Sequence, residues 1–160
     1  MADLFATLLT EIQATIPHIG WRAIAAPAGS AFPPYVYTIG LGDTMDLPDL
    51  IVVGLSWELS HMLLATVIDF QQQHGALAVG SPLPKQISMA LRIGAVHPAW
   101  RPTLTPIAGA IYQSQPWELH QLVWADMFGA FPDDPAFPAD PNDPVHAQPL
   151  LDRWWSIAMR

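Results

Sequence analysis

The stretch YVYTIGLGDTMDLPDLIVV, residues 35–53, decides the fold class. Tyr35, Tyr37, Ile39 and Leu41 alternate with Val36, Thr38 and Gly40, the period of two that sends successive side chains to opposite faces of a strand. After a turn at Gly42, Asp43 and Pro48, the run Leu50, Ile51, Val52, Val53 is apolar on both faces. The stretch therefore predicts two strands joined by a turn, the second the better candidate for a central strand.

Helices flank this pair. Downstream, Ser56 supplies an N-cap and Glu58 suits the positive end of a helix. Leu59, Met62, Leu63, Val67 and Phe70 then recur at three- and four-residue spacing until His74 and Gly75 close it. Upstream, Asp3 caps a helix whose apolar stripe is Leu4, Phe5, Leu8, Leu9, Ile12 and Ile16, and Pro17 ends it. Trp21 to Ala26 reads as a short strand before a loop of Pro27, Gly29, Ser30, Pro33 and Pro34. Beyond a turn at Gly80, Pro82 and Pro84, the residues Ile87, Met89, Leu91, Ile93 and Ala95 alternate as in a half-exposed strand, and Leu119 to Ala125 is another. Thr105 to Tyr112 fits a short helix or a strand. The expectation is an α+β single domain over residues 1–160: a mainly antiparallel sheet of about five strands, one face covered by helices at Leu4 to Ile16 and Trp57 to Gln73. Its core should contain Leu8, Ile12, Trp21, Tyr37, Ile39, Ile51, Val53, Leu63, Val67, Leu91, Val123 and Trp124.

Composition narrows the function classes. The 160 residues are 51% hydrophobic and only 12% charged, with 7 Trp, ample material for one core and incompatible with disorder throughout. No run approaches the roughly 18 apolar residues of a spanning helix, and no basic segment follows Met1, so no membrane association and a cytoplasmic location are expected. The absence of Cys excludes disulfides, thiolate catalysis and Cys-ligated metals. The net charge of −8 is uneven: residues 102–152 hold Glu118, Asp126, Asp133, Asp134, Asp140, Asp143 and Asp152 and no Lys or Arg. Such a field repels phosphate backbones, so no nucleic acid is expected, and a basic protein is the natural complement.

Within that block Pro132, Pro135, Pro138, Pro141 and Pro144 recur every third residue. Polyproline II has three residues per turn, so all of them would share one edge of an extended, acidic strap over residues 132–144, leading to a C-terminal aromatic segment. Phe131 and Phe137, with Leu150, Leu151, Trp154 and Trp155, are placed to pin it to the domain.

Tyr37-Thr38-Ile39-Gly40-Leu41 resembles the opening signature of a bacterial family, domain of unknown function 4262. The family follows that strand with a His-Pro-Glu-Leu-like turn and an apolar strand ending in Gly-Leu, which Pro48, Asp49, Leu50, Gly54 and Leu55 resemble. Gln121-Leu122-Val123-Trp124-Ala125-Asp126 resembles its Gln-Leu-Val-Trp-Pro-Asp segment, followed by Gly129, Phe131, Pro132 and a terminal Gln148-Pro149-Leu150-Leu151. Leu47 stands where the His is expected, Ala125 replaces a Pro, and Asp133 falls where an aromatic is common. The resemblance implies no reaction.

Chemistry-bearing constellations are sparse. Glu58 and His61 form a Glu-x-x-His pair, but a carboxylate-bridged metal site needs a second such pair and further Glu residues, so no metal is expected. No Gly-x-Ser-x-Gly elbow marks a hydrolase, no Gly-rich phosphate loop appears, and no catalytic residue is assigned. The favoured reading is a non-catalytic acidic binding or regulatory protein, of the inhibitor or immunity type, presenting Asp126, Asp133, Asp134, Asp140 and Asp143 to a basic partner without a cofactor. The alternative is a flavin-binding split-barrel-like redox protein, or a small-ligand-binding one, with FMN or another ligand in a pocket near Thr38, Gly40 and Trp124. Exposed aromatics also allow a homodimer.

Overall fold

The computed structural model describes residues 2–29, 32–86, 89–113, 115–126, 128–134 and 148–154. Its elements run α1 (Ala2–Ile19), β1 (Arg22–Ala26), β2 (Tyr35–Ile39), α2 (Leu41–Met45), β3 (Asp49–Val53), α3 (Trp57–His74), β4 (Pro82–Gln86), β5 (Met89–Ala95), α4 (Trp100–Leu104), α5 (Pro106–Tyr112) and β6 (Leu119–Trp124). The strands form one sheet in the order β1-β2-β3-β6-β5-β4. Neighbours are antiparallel except β3 and β6, which pair in parallel, Asp49 opposite Leu119 and Ile51 opposite Gln121. The α+β class stands; the sheet itself is mixed and six-stranded rather than mainly antiparallel with about five strands.

The two expected helices do not share a face. Leu63, Leu64, Val67 and Ile68 of α3 pack on Val36, Leu50, Val52 and Leu122. Ile12 and Ile16 of α1, with Trp100, Leu104 and Tyr112 of α4 and α5, pack on Tyr37, Ile39, Ile51 and Val53. The reason lies in the strands: β3 is buried at every position and β2 at all but its first, so each side of the sheet needs its own layer. Each large side chain so buried contributes about 1.5–3 kcal/mol. The expected core residues are buried except Leu8 and Trp21, which are partly covered.

Several local expectations shift for identifiable reasons. Ser56 caps α3, its side chain accepting from Leu59 N, and Gly75 closes it. α1 runs through Pro17, which forfeits only its own N–H, and ends at Gly20, whose N–H bonds Ile16 O at φ +100°. Asp3 lies inside the first turn of α1 rather than before it. Pro82 and Pro84 belong to a strand, β4, tolerated at a sheet edge because a missing donor there breaks no ladder. β5 begins at Met89; Ile87 lies outside the described residues. Thr105 to Tyr112 resolves to helix α5, entered through Pro106. The turn after β2 contains α2, so Leu41 leaves the strand pattern and starts a helix.

Two buried glutamines fasten the chain's return after β6. Gln121 Nε2 donates to Pro149 O and its Oε1 accepts from Leu151 N, both at 2.9 Å. Gln148 makes the reciprocal pair with Trp124, accepting from N (2.8 Å) and donating to O (2.7 Å). Gln121→Met keeps the volume and orphans both groups of residues 149–151, so the urea midpoint should fall by the equivalent of about 2 kcal/mol. An unchanged midpoint would show that the clamp adds nothing.

Candidate functional site

Asp49 opens β3 inside an apolar run and is 1% exposed. An isolated carboxylate in such a place is strongly disfavoured, so its partners matter. Thr38 Oγ1 donates to Oδ1 (2.8 Å), Leu41 N donates to Oδ1 (3.3 Å), and the Tyr112 hydroxyl donates to Oδ2. Thr38 Oγ1 in turn accepts from Leu50 N (3.0 Å), and Tyr112 Oη accepts from Gly40 N (2.6 Å). One carboxyl group thus ties β2, β3, α2 and α5 together. Burial pushes its pKa up, to about 7, against the opposing pull of the Tyr112, Thr38 and Leu41 bonds; the nearby Asp43 carboxylate adds to the rise. Tyr112 is raised as well, by burial and then by the charge of Asp49.

Local geometry explains how these groups meet. Gly40 sits at φ +107°, which turns the chain from β2 directly into α2 and aims its N–H and that of Leu41 at the cluster. Thr44 of α2 donates back to Gly40 O (2.9 Å) and to Gly20 O, pinning α2 to the end of α1. Tyr112 ends α5, and its ring stacks on Trp117 at 5.1 Å between centroids. The Arg101 guanidinium sits over the Trp117 ring, 5.1 Å from its centroid.

Beside this cluster, where β3 and β6 begin, lies an open cleft of about 520 Å³. Its charged lining residues are Asp43, Asp46 and Glu118, and no Lys or Arg is among its lining residues; Tyr112, Trp117 and Leu47 supply apolar wall. Among the described residues, the non-glycine positions with positive φ are Asp46 and Gln113, both at φ 54°. Asp46 lines the cleft in the left-handed conformation that Asp tolerates, and Gln113, at φ 54° and ψ −120°, directly follows the lining residue Tyr112 and carries backbone strain. A smaller cleft of about 310 Å³ beside β5 is lined by Arg92, Asp133 and Asp152, with the first two already paired.

The residues singled out in the sequence separate into three places. Thr38 and Gly40 meet at the Asp49 cluster. Trp124 lies apart, at the far end of β6, its Nε1 donating to Val53 O (2.8 Å). Asp126 is not a presented charge: it is 8% exposed, and its Oδ1 accepts from Phe128 N and Ala130 N to close a turn. Asp133 is exposed but paired with Arg92 at 2.8 Å, with Phe131 over the same guanidinium. Asp134 is exposed, its backbone N–H bonded to Phe131 O. Asp140 and Asp143, with most of the expected strap, lie outside the described residues.

The sequence reading left Asp49 and Tyr112 without a role. A signal for the first was present: a lone acid between Pro48 and a run of four apolar residues is a buried carboxyl in want of donors. Nothing local marks Tyr112, which meets Asp49 across 63 residues. Leu47, at the position where the resemblance expects a histidine, lines the cleft.

Compared with known families, residues 15–138 match the model described as Domain of unknown function (DUF4262). No curated protein and no solved structure matches the chain. Among the described residues, no helix is long and apolar enough to cross a membrane.

Proposed function

The chain belongs to the domain of unknown function 4262 family, and from that premise we propose that it is a non-catalytic acidic binding protein for a basic partner, with the cleft beside Asp49 as its recognition site. The observation that carries this reading is the cleft itself: a concavity of about 520 Å³ walled by Asp43, Asp46, Glu118 and aromatic rings, with no Lys or Arg among its lining residues. Carboxylates lining a concave site complement an Arg or Lys side chain, and charge of one sign there steers an oppositely charged partner. The strained backbone at Gln113 supports the same place. With Asp49 ionised, the polar groups of Asp49, Thr38 and Tyr112 bond one another and backbone N–H groups, which favours binding over catalysis.

The same lining argues against a flavin here. FMN brings a phosphate dianion, which three carboxylates would repel.

The test is calorimetric titration with a short oligo-arginine peptide. Binding should weaken steeply with added salt. The combined variant Asp43→Asn, Asp46→Asn, Glu118→Gln should lose roughly tenfold in affinity, the three rim charges together contributing about 1.5 kcal/mol at about 0.5 kcal/mol each. Asn tolerates positive φ, so the Asp46 change leaves the backbone in place. Retained affinity in this variant, with loss in Asp133→Asn, Asp134→Asn, would move recognition to the segment after β6 and overturn the cleft.

A further inference from the structure

The Asp49 carboxyl reaches the cleft through one residue. Tyr112 lines the cleft, and its hydroxyl group donates to Asp49 Oδ2 while accepting from Gly40 N. We propose that Asp49 and Tyr112 form a protonic switch that regulates the cleft: with Asp49 ionised the phenol proton points inward and the site receives a cation, and with Asp49 protonated that proton turns outward and the cation is released. This rests on the cleft being the binding site of the preceding reading.

The chemistry follows from counting donors and acceptors. An ionised Asp49 only accepts, and the bonds from Thr38, Leu41 and Tyr112 suit that form. Once Oδ2 carries a proton, it becomes a donor, and its sole partner among the described residues is Tyr112 Oη. That oxygen already accepts from Gly40 N, so its two lone-pair sites are filled and its own proton must leave the Asp49 direction. In the proposed switch it takes the cleft side, where Tyr112 is a lining residue. Two changes then act together against a cationic occupant: a negative charge disappears behind the wall, and a positive hydrogen end faces the site. By linkage, an occupant holds Asp49 ionised to the same degree that ionisation favours the occupant. Burial has already moved the Asp49 titration to about 7, where modest pH changes shift its population.

Other titratable groups around Asp49 are few. Asp43 on α2 raises it, Tyr112 faces it from α5, β2 contributes only the neutral Thr38, and Ile16 of α1 is apolar. Ahead of β6, Glu118 O accepts from Asp49 N, and the Glu118 side chain points instead to His120, 3.9 Å away. Burial lowers His120, so this imidazole needs a control of its own.

The intact protein allows a test that needs no ligand. Gly40 N–H and Leu41 N–H are bonded to Tyr112 and Asp49, so their amide NMR signals report the switch directly. In the wild type both should titrate with one shared midpoint, unchanged in His120→Gln. In Asp49→Asn, which copies the protonated acid with Nδ2 as donor to Tyr112, both should be flat. Should that variant fail to fold, Tyr112→Phe serves: Leu41 continues to titrate and Gly40 no longer follows. Oligo-arginine affinity should rise roughly tenfold from about pH 5.5 to about pH 8.5 in the wild type, and stay at the weak value in Asp49→Asn at both. Amides that titrate in Asp49→Asn, or that stay flat in the wild type, overturn the switch. Intact amide titration with no peptide binding at either pH leaves the Asp49–Tyr112 exchange standing and removes the cleft reading, and with it the regulatory role.

Discussion

Gly40→Val should lower stability by about 4 kcal/mol, a large share of the 5–15 kcal/mol that holds a domain of this size. Two costs combine. Gly40 sits at φ +107°, where a β-branched residue is strained by about 1–3 kcal/mol. A Cβ there would stand 2.8 Å from Ile16 Cγ2 and 3.1 Å from Cγ1, and Ile16 lies on the buried face of α1, so overpacking adds about 1–3 kcal/mol. Urea unfolding separates the two. Gly40→Ala should be damaging as well, and in an Ile16→Ala background, itself less stable, Gly40→Val should cost less by the contact part and still carry the backbone part. A Gly40→Val protein with the wild-type midpoint would contradict both.

Asp49→Ala should cost about as much, and Asp49→Asn far less, which distinguishes a structural carboxyl from a generic buried polar group. Alanine leaves Thr38 Oγ1, Leu41 N and the Tyr112 hydroxyl without their acceptor. Buried and unpaired, such groups cost about 1–3 kcal/mol each, partly relieved where Thr38 finds another partner. Asparagine keeps an acceptor for Thr38 and Leu41 and a donor for Tyr112. The pH dependence has a definite sign. Asp49 titrates at about 7 in the folded protein against an ordinary 3.8, so between those values the native state holds a proton that the unfolded chain has released. The stability this group contributes is therefore full below about pH 4, declines as pH rises to about 7, and stays low above. The difference in unfolding free energy between wild type and Asp49→Asn should change across that window and be constant above it. Parallel curves from pH 4 to pH 8 would show that Asp49 does not titrate there.

Much of the local structure was legible in residues 35–75 because its causes act over a few positions. Alternation set β2, an unbroken apolar run set β3, and Ser56 with its reach to Leu59 set the start of α3. The same locality explains what was misread. Pro82 and Pro84 look like turn residues until β4 proves to be an edge, and Asp126 looks like a presented charge until Phe128 N and Ala130 N are seen to point at it. The family was legible too, since its signature is a string of residues in order.

By itself, then, the sequence determined the α+β class, the capped helix α3, the central apolar strand and the excess of carboxylates. Only the tertiary structure decided that β3 pairs in parallel with β6, that α1 and α3 cover opposite faces, and that Tyr112 closes on Asp49 and Gly40 across 63 and 72 residues. Periodicity and capping depend on neighbours within about four residues. Strand pairing and a buried carboxyl's donors depend on which surfaces remain once those local elements have formed, and no window of the chain contains that choice.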